Sequence, residues 1–224
     1  ANSYLANNHR ASSNPNAVSN GWPASLAISS SSSAPTLLVD LAGDQAAIMG
    51  LPEPPVGLSD WVNGITHQDF YETLTTCNDN LHLAPSCSSA IEILSTNAWT
   101  NLARAVTKKE ADGYNIIIDF GRVELPLAFQ KLACTHYMVT RPCYLSLRRA
   151  VNTEQKFSGV IVVQEHDRVL TTSDVESVMK LKCAAEVPYS SDISRRVDSG
   201  LLKSRLPAPL RAALSPLISP GIST

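Results

Sequence analysis

The sequence predicts an α/β fold, with a doubly wound, mainly parallel sheet and helices on both faces. Three observations carry that expectation. First, runs that are apolar throughout recur along the chain: Leu37-Leu38-Val39 before Asp40, Ile116-Ile117-Ile118 before Asp119, Tyr137 to Thr140, and Gly159 to Val163. Strands with no polar face belong to parallel sheets covered on both sides. Second, the segments between them show helical periodicity, and an alternation of strand and helix builds right-handed crossover units. Third, 224 residues with 44% hydrophobic and 17% charged side chains suit one large domain or two small ones.

Taken in order, the first 36 residues stand apart, with ten Ser, six Asn, no Lys, no Asp or Glu, and a serine run from Ser29 to Ser33. Nothing before Pro23 makes an apolar strand, so 1–23 reads as a low-complexity, disordered or aberrant segment. Ala24 to Ile28 suggests a short helical turn. The α/β domain is expected over 24–212, with 213–224 as a flexible tail. The first strand is then the run closed by Asp40, and Leu81 to Pro85 is a second, shorter one. Ala98 to Lys109 places Trp99, Leu102, Ala103 and Val106 on one helical stripe. Tyr144 to Val151 is a helix behind the third apolar run. Thr172 to Leu181 is a helix opened by Ser173 with Glu176 three residues on. Beyond Pro188, Asp192 to Val197 is helical, whereas Pro207, Pro209 and Pro216 prevent one long helix after it.

Composition excludes several classes. A net charge of -2 advertises no general polyanion partner. The longest apolar runs are four or five residues, against the roughly 20 that span a bilayer; neither a membrane span nor a secretory signal is expected. Five scattered cysteines without a C-x-x-C pair point to a reducing compartment, read as the cytoplasm, with each thiol a small buried group. The five histidines show no ligand spacing, and no G-x-S-x-G elbow exists for a serine nucleophile.

Chemistry is expected at the carboxyl ends of the strands, where open parallel sheets bind ligands. Asp40 and Asp119 end their strands and are followed by glycine-containing loops, Ala42-Gly43-Asp44 and Phe120-Gly121. A carboxylate so placed can hold Mg²⁺ through water or orient an attacking water. The alternative is that each starts a loop or caps the next helix.

The stretches LLVDLAGDQAAIMGLPEPPVGLSDW at 37–61, LHLAPS at 81–86, YNIIIDFG at 114–121, VTRPCYLSLRRA at 139–150 and GVIVVQ at 159–164 resemble the MinD/ParA class of deviant P-loop ATPases, CpaE/TadZ-like members included. VPYSSDISRRVDSGLL at 187–202 is similar to the family's last strand and helix, so the resemblance covers roughly residues 24 to 210. It implies ATP and Mg²⁺ as cofactors, Asp40 as the residue that positions the hydrolytic water, and Asp119 as the acid near the metal. It further implies Gly121 as the small residue that lets a switch loop approach phosphate, and Arg141 and Pro142 in the loop near the base. Gln164 stands where relatives often carry an Asn for adenine. Ser146, Leu147 and Arg148 open the helix behind that loop.

One family feature is missing. The phosphate loop should fall near 11–17, where the sequence reads ASSNPNA, and the first lysine is Lys108. A triphosphate without those lysines loses charge-assisted contacts worth about 1.5–3 kcal/mol each. The expectation is a chromosome-partitioning or positioning protein of bacterial type with impaired ATP binding, either a pseudo-ATPase or a chain whose frame is altered upstream of about Trp22. A non-catalytic scaffold for pilus assembly or chromosome segregation is the second reading. A protein partner is expected and a homodimer is compatible with the resemblance. Arg195, Arg196, Lys203, Arg205 and Arg211 raise nonspecific DNA binding, weighed against a plain solvated helix face. MinD-type membrane attachment is not expected, because no lysine follows Lys203.

Overall fold

A computed structural model describes residues 3–7, 34–86, 95–121, 125–132, 134–152, 155–203 and 206–217. Eight strands form one sheet: β1 (Ser3–Asn7), β2 (Thr36–Asp40), β3 (Thr75–Asn78), β4 (Leu81–Ala84), β5 (Asn115–Gly121), β6 (Thr135–Thr140), β7 (Gly159–Val163) and β8 (Cys183–Val187). Their spatial order is β3-β4-β2-β5-β1-β6-β7-β8. Every neighbouring pair is parallel except the edge pair β3–β4, which is antiparallel. The predicted fold class is therefore the observed one. The helices are α1 (Gln45–Ile48), α2 (Leu58–Val62), α3 (Thr96–Ala111), α4 (Leu127–Gln130), α5 (Tyr144–Val151), α6 (Thr172–Met179), α7 (Ser191–Asp198) and α8 (Ala208–Leu214).

Strand alternation sorts the core into two sides. Leu37, Val39, Ile116, Ile118 and Phe120 point to one face, where they meet Leu58 of α2, Trp99, Leu102 and Val106 of α3, and Phe129 of α4. Phe120, Phe129 and Trp99 meet edge to face, with centroids 5.3 Å and 6.1 Å apart; such pairs add about 0.5–1.5 kcal/mol each beyond area burial. Leu38, Ile117, Val139 and Ile161 point to the opposite face, against Ile48 and Met49 around α1, Ile193 of α7 and Leu210 and Leu214 of α8. Val160 and Val162 pack with Leu147 of α5 and Val175 of α6. Asp40 and Asp119 lie two residues beyond Leu38 and Ile117, so both belong to the α1, α7 and α8 side.

Three expectations are corrected, and one lies beyond the described residues. Ser3–Asn7 is a strand, and a central one, hydrogen-bonded between β5 and β6. Its residues, SYLAN, give no apolar run to see, because a strand clamped on both edges draws its stability from ladder hydrogen bonds that composition does not record. The segment 8–33, with the suggested turn at 24–28 and the loop position near 11–17, lies outside the described residues. At the other end α8 runs to Leu214, fully buried, and a 3₁₀ turn follows over Ser215–Leu217, so packed structure extends past 212. Finally, α6 is capped by Thr171 with Asp174 in a reciprocal capping box rather than by Ser173 with Glu176. Glu176 instead accepts the Cys183 N–H at 2.7 Å, tying α6 to β8.

The chain leaves α1 and α7 through two glycines in left-handed conformation, Gly50 (φ +63°) and Gly200 (φ +65°). A Cβ on Gly50 would lie 2.4 Å from the Gly200 carbonyl oxygen. We expect Gly50→Ala to cost about 2–4 kcal/mol, combining left-handed strain with backbone overpacking. Urea denaturation checks this, and a loss under about 0.5 kcal/mol, the ordinary range of a surface change, contradicts it.

Candidate functional site

The carboxyl edge of the parallel sheet collects the polar groups that the sequence singles out. Parallel pairing sets Asp40 of β2 directly beside Asp119 of β5, and residues paired in register share a face. Both are buried, at 0% and 3% exposure. Each carboxylate is held by donors from short loops. Asp40 accepts the Gly43 N–H at 2.7 Å and the Gln45 N–H at 2.9 Å, one on each oxygen. Asp119 accepts the Gly121 N–H at 2.9 Å and the Gln45 side-chain amide, through Nε2, at 2.9 Å.

Burial first, and the neighbouring Asp119 charge second, push the Asp40 carboxyl up to about 7 from its ordinary 3.8. The two backbone N–H groups pull the other way without cancelling that rise. Asp40 thus shapes the loop from Leu41 to Gln45, which is the loop-starting role weighed for it from the sequence. Gly121, at φ +55°, has space for no side chain: a Cβ would sit 2.9 Å from the Ala42 Cβ. The loop it admits is the one after Asp40.

Gln45, the first residue of α1, is the group that sequence reading missed. It is fully buried, donates to Asp119, and has an Oε1 with no hydrogen-bond partner among the described residues. The one available signal was an amide within the otherwise apolar Gln45-Ala46-Ala47-Ile48-Met49 stretch.

The remaining predicted residues form a second group at the tips of β6, β7 and β8, separated from the first by β1. Arg141 forms an ion pair with Glu165, whose other oxygen accepts from Arg168 Nε at 2.7 Å. Burial raises Glu165, but the bonds from Arg141 and Arg168 outweigh it and hold the carboxyl below its ordinary range. Pro142 is buried beside Arg141. Gln164 uses both amide hydrogens internally, donating from Nε2 to Thr172 Oγ1 at 2.8 Å and to Glu186 Oε1 at 2.9 Å. Thr172 closes the triangle by donating to Glu186 Oε2 at 2.7 Å. Gln164 is therefore a strut joining β7, α6 and β8.

At the opposite edge, Cys134 Sγ lies 3.0 Å from His136 Nε2, a contact that sequence spacing did not anticipate. Among the described residues no group of three His, Cys, Asp or Glu could hold a metal. Of the thiols, Cys77 is buried, while Cys134, Cys143 and Cys183 are half-buried, so the burial expected of every cysteine holds fully for Cys77 alone among these four. Of the basic residues, Arg196 pairs with Asp192 within α7; Arg195, Lys203 and Arg211 are exposed and Arg205 lies outside the described residues.

The first group fits a hard divalent cation: its acceptors are all oxygen, it carries two acids, and one buried amide oxygen lacks a partner among the described residues. Among the described residues, Arg141 and Arg168 at this edge both pair with Glu165.

No family model matches the chain, and no curated protein matches its sequence. Solved structures do match in shape. A ParA family ATPase from Chlorobium tepidum TLS superimposes with TM-score 0.68 at 17% identity, over 97% of this chain and 98% of that one. MinD in the MinC:MinD cell division protein complex of Aquifex aeolicus gives 0.71 at 16%, over 97% and 94%. The septum site-determining protein MinD from Pyrococcus horikoshii, complexed with Mg-ADP, gives 0.66 at 14%, over 96% and 94%. At these identities the likeness establishes the fold, which is that of the MinD and ParA ATPases. Among the described residues no helix is long and apolar enough to cross a membrane.

The raised Asp40 carboxyl has a consequence for stability. The native state keeps this proton to higher pH than the unfolded chain does, so stability from this group falls as pH rises from about 4 to about 7 and is level above that. At about 1.4 kcal/mol per pH unit, the decline is at most on the order of 4 kcal/mol. Denaturant titrations in chelator should show it in the wild type and not in Asp40→Asn; parallel curves for the two proteins would contradict the assignment.

Proposed function

We propose that this chain is a MinD/ParA-like positioning or partitioning protein, of the CpaE/TadZ-like kind, in which ATP binding and hydrolysis are impaired. One observation carries the reading: two buried acids stand abreast at the carboxyl edge of a sheet folded as in ParA and MinD. In this reading Asp119 is the residue nearest a bound Mg²⁺, and Asp40 holds the loop that would face phosphate. Bound Mg²⁺ would neutralise phosphate charge. The chain's own contribution is to exclude water from the acids and to fix the Asp119 oxygens through Gly121 and Gln45.

Impairment is supported by the sequence, which has no lysine before Lys108, and by the Arg141–Glu165 pair. The use of both Gln164 amide hydrogens within the protein speaks further against a base-reading role for it. These same observations favour a second reading, a non-catalytic scaffold that keeps the fold for a protein partner in pilus assembly or chromosome segregation. A protein partner is supported by the MinC-bound relative. A homodimer, nonspecific DNA binding through the exposed Arg195, Lys203 and Arg211, and a cytoplasmic, bacterial setting belong to the same proposal.

Titration with fluorescent ATP and Mg²⁺ separates the readings. Saturable binding at micromolar concentration, abolished by Asp119→Ala in a folded variant, supports a residual nucleotide cycle. Absence of binding up to millimolar concentration leaves the scaffold.

A further inference from the structure

We propose that Cys134 is a redox-modifiable thiol, with His136 as the base that takes its proton when a hydroperoxide oxidises the sulfur. The pair stands where β6 begins, at the amino edge of the sheet and away from the acids at its carboxyl edge. Cys134 Sγ lies 3.0 Å from His136 Nε2. Two backbone oxygens also face the sulfur, Leu132 O at 3.2 Å and Phe129 O at 3.8 Å. A carbonyl accepts the thiol hydrogen in a bond but does not take the proton, whereas an imidazole does both.

Burial holds the His136 ring below its ordinary 6.5, so near pH 7 it is neutral, with one bare nitrogen. Either tautomer serves. With Nε2 bare, the ring takes the thiol proton; with the hydrogen on Nε2, it donates to the sulfur anion. The two carbonyl oxygens work against that anion, and the nearer nitrogen outweighs them.

The other described thiols have no such neighbour. Burial pushes Cys77 up to about 11 and raises Cys183 as well. Cys143 donates to the Ser146 hydroxyl at 3.0 Å, an oxygen that is no base. Cys134 is half-buried rather than sealed, and oxidisable cysteines combine thiolate character with partial exposure. In the step itself, the sulfur attacks one peroxide oxygen. The S–O bond forms as the O–O bond breaks, and the electron pair leaves on the second oxygen, which collects the proton held by His136. Sulfur is oxidised to a sulfenic acid, and the hydroperoxide is reduced to an alcohol, or to water when it is hydrogen peroxide.

Full-length protein is reduced, freed of reductant and treated with hydrogen peroxide, sulfenic acid being trapped with dimedone and located by peptide mass spectrometry. A parallel sample gives the iodoacetamide rate of each cysteine at pH 7. We expect Cys134 to be trapped, and to alkylate roughly tenfold or more faster than Cys143 and Cys183. His136→Gln keeps a polar side chain that takes no proton, and should slow Cys134 by roughly tenfold or more while leaving the other thiols unchanged. His136→Ala separates chemistry from cover: loss of a ring that only shields the sulfur speeds its reaction, and loss of a base slows it. Circular dichroism and melting show whether each variant folds; if neither does, the wild-type ranking decides. Alkylation of Cys134 no faster than that of Cys143 and Cys183, alkylation without trapped sulfenic acid, or an unchanged or raised rate in a folded variant would each overturn the proposal. None of these readouts involves ATP or Mg²⁺, so the proposed function stands or falls separately.

Discussion

Two acids set side by side in a dry place are the constraint around which this molecule is arranged. Parallel pairing of β2 and β5 forces Asp40 and Asp119 abreast, and burial strengthens their mutual repulsion. The surrounding chain answers with donors. Gly43 and Gln45 turn their amides onto Asp40, Gly121 turns its own onto Asp119, and the Gln45 side chain ties the second acid to α1. The near contact of Ala42 with Gly121 follows, since a loop folded this tightly over a strand end tolerates no Cβ beneath it.

The same loop connects the acids to the C-terminal helices. Ile48 and Met49, just after Gln45, are buried in one cluster with Ile193, Leu202 and Leu210. The chain then turns at Gly50 against Gly200, at the end of α7. A four-residue helix thus stands between the acid pair at one end and a backbone-to-backbone joint at the other. Its anchors lie in three separate stretches of sequence. The β6–β8 edge is braced differently, by the Arg141–Glu165–Arg168 and Gln164–Thr172–Glu186 groups. Hydrogen bonds that close on themselves in this way hold three strands in register but leave fewer donors for a ligand.

Much of the fold was legible. The runs at Leu37–Val39, Ile116–Ile118 and Val160–Val163 read as buried parallel strands because both their faces are covered, and the acids that end the first two lie side by side at the carboxyl edge. The helix over Tyr144–Val151 was read with its observed bounds. Ser3–Asn7 was not legible, since its place between β5 and β6 rests on backbone ladders and not on side-chain pattern. Thr75–Asn78 escaped for a related reason: as an edge strand it pairs on one side only and needs no apolar run. Gln164 was read in its right place at a strand end, but only the packed structure shows its amide turned toward Thr172 and Glu186.

Local pattern therefore determined which segments are strands and helices and which acids end them, because side-chain burial on a covered sheet leaves its period in the sequence. Tertiary structure alone decided that Asp40 and Asp119 are neighbours, that Gln45 reaches between them, and that Gly50 meets Gly200. Those pairs are separated by up to 150 residues along the chain. Their interactions depend on register and dielectric, which exist only once the sheet has closed around them.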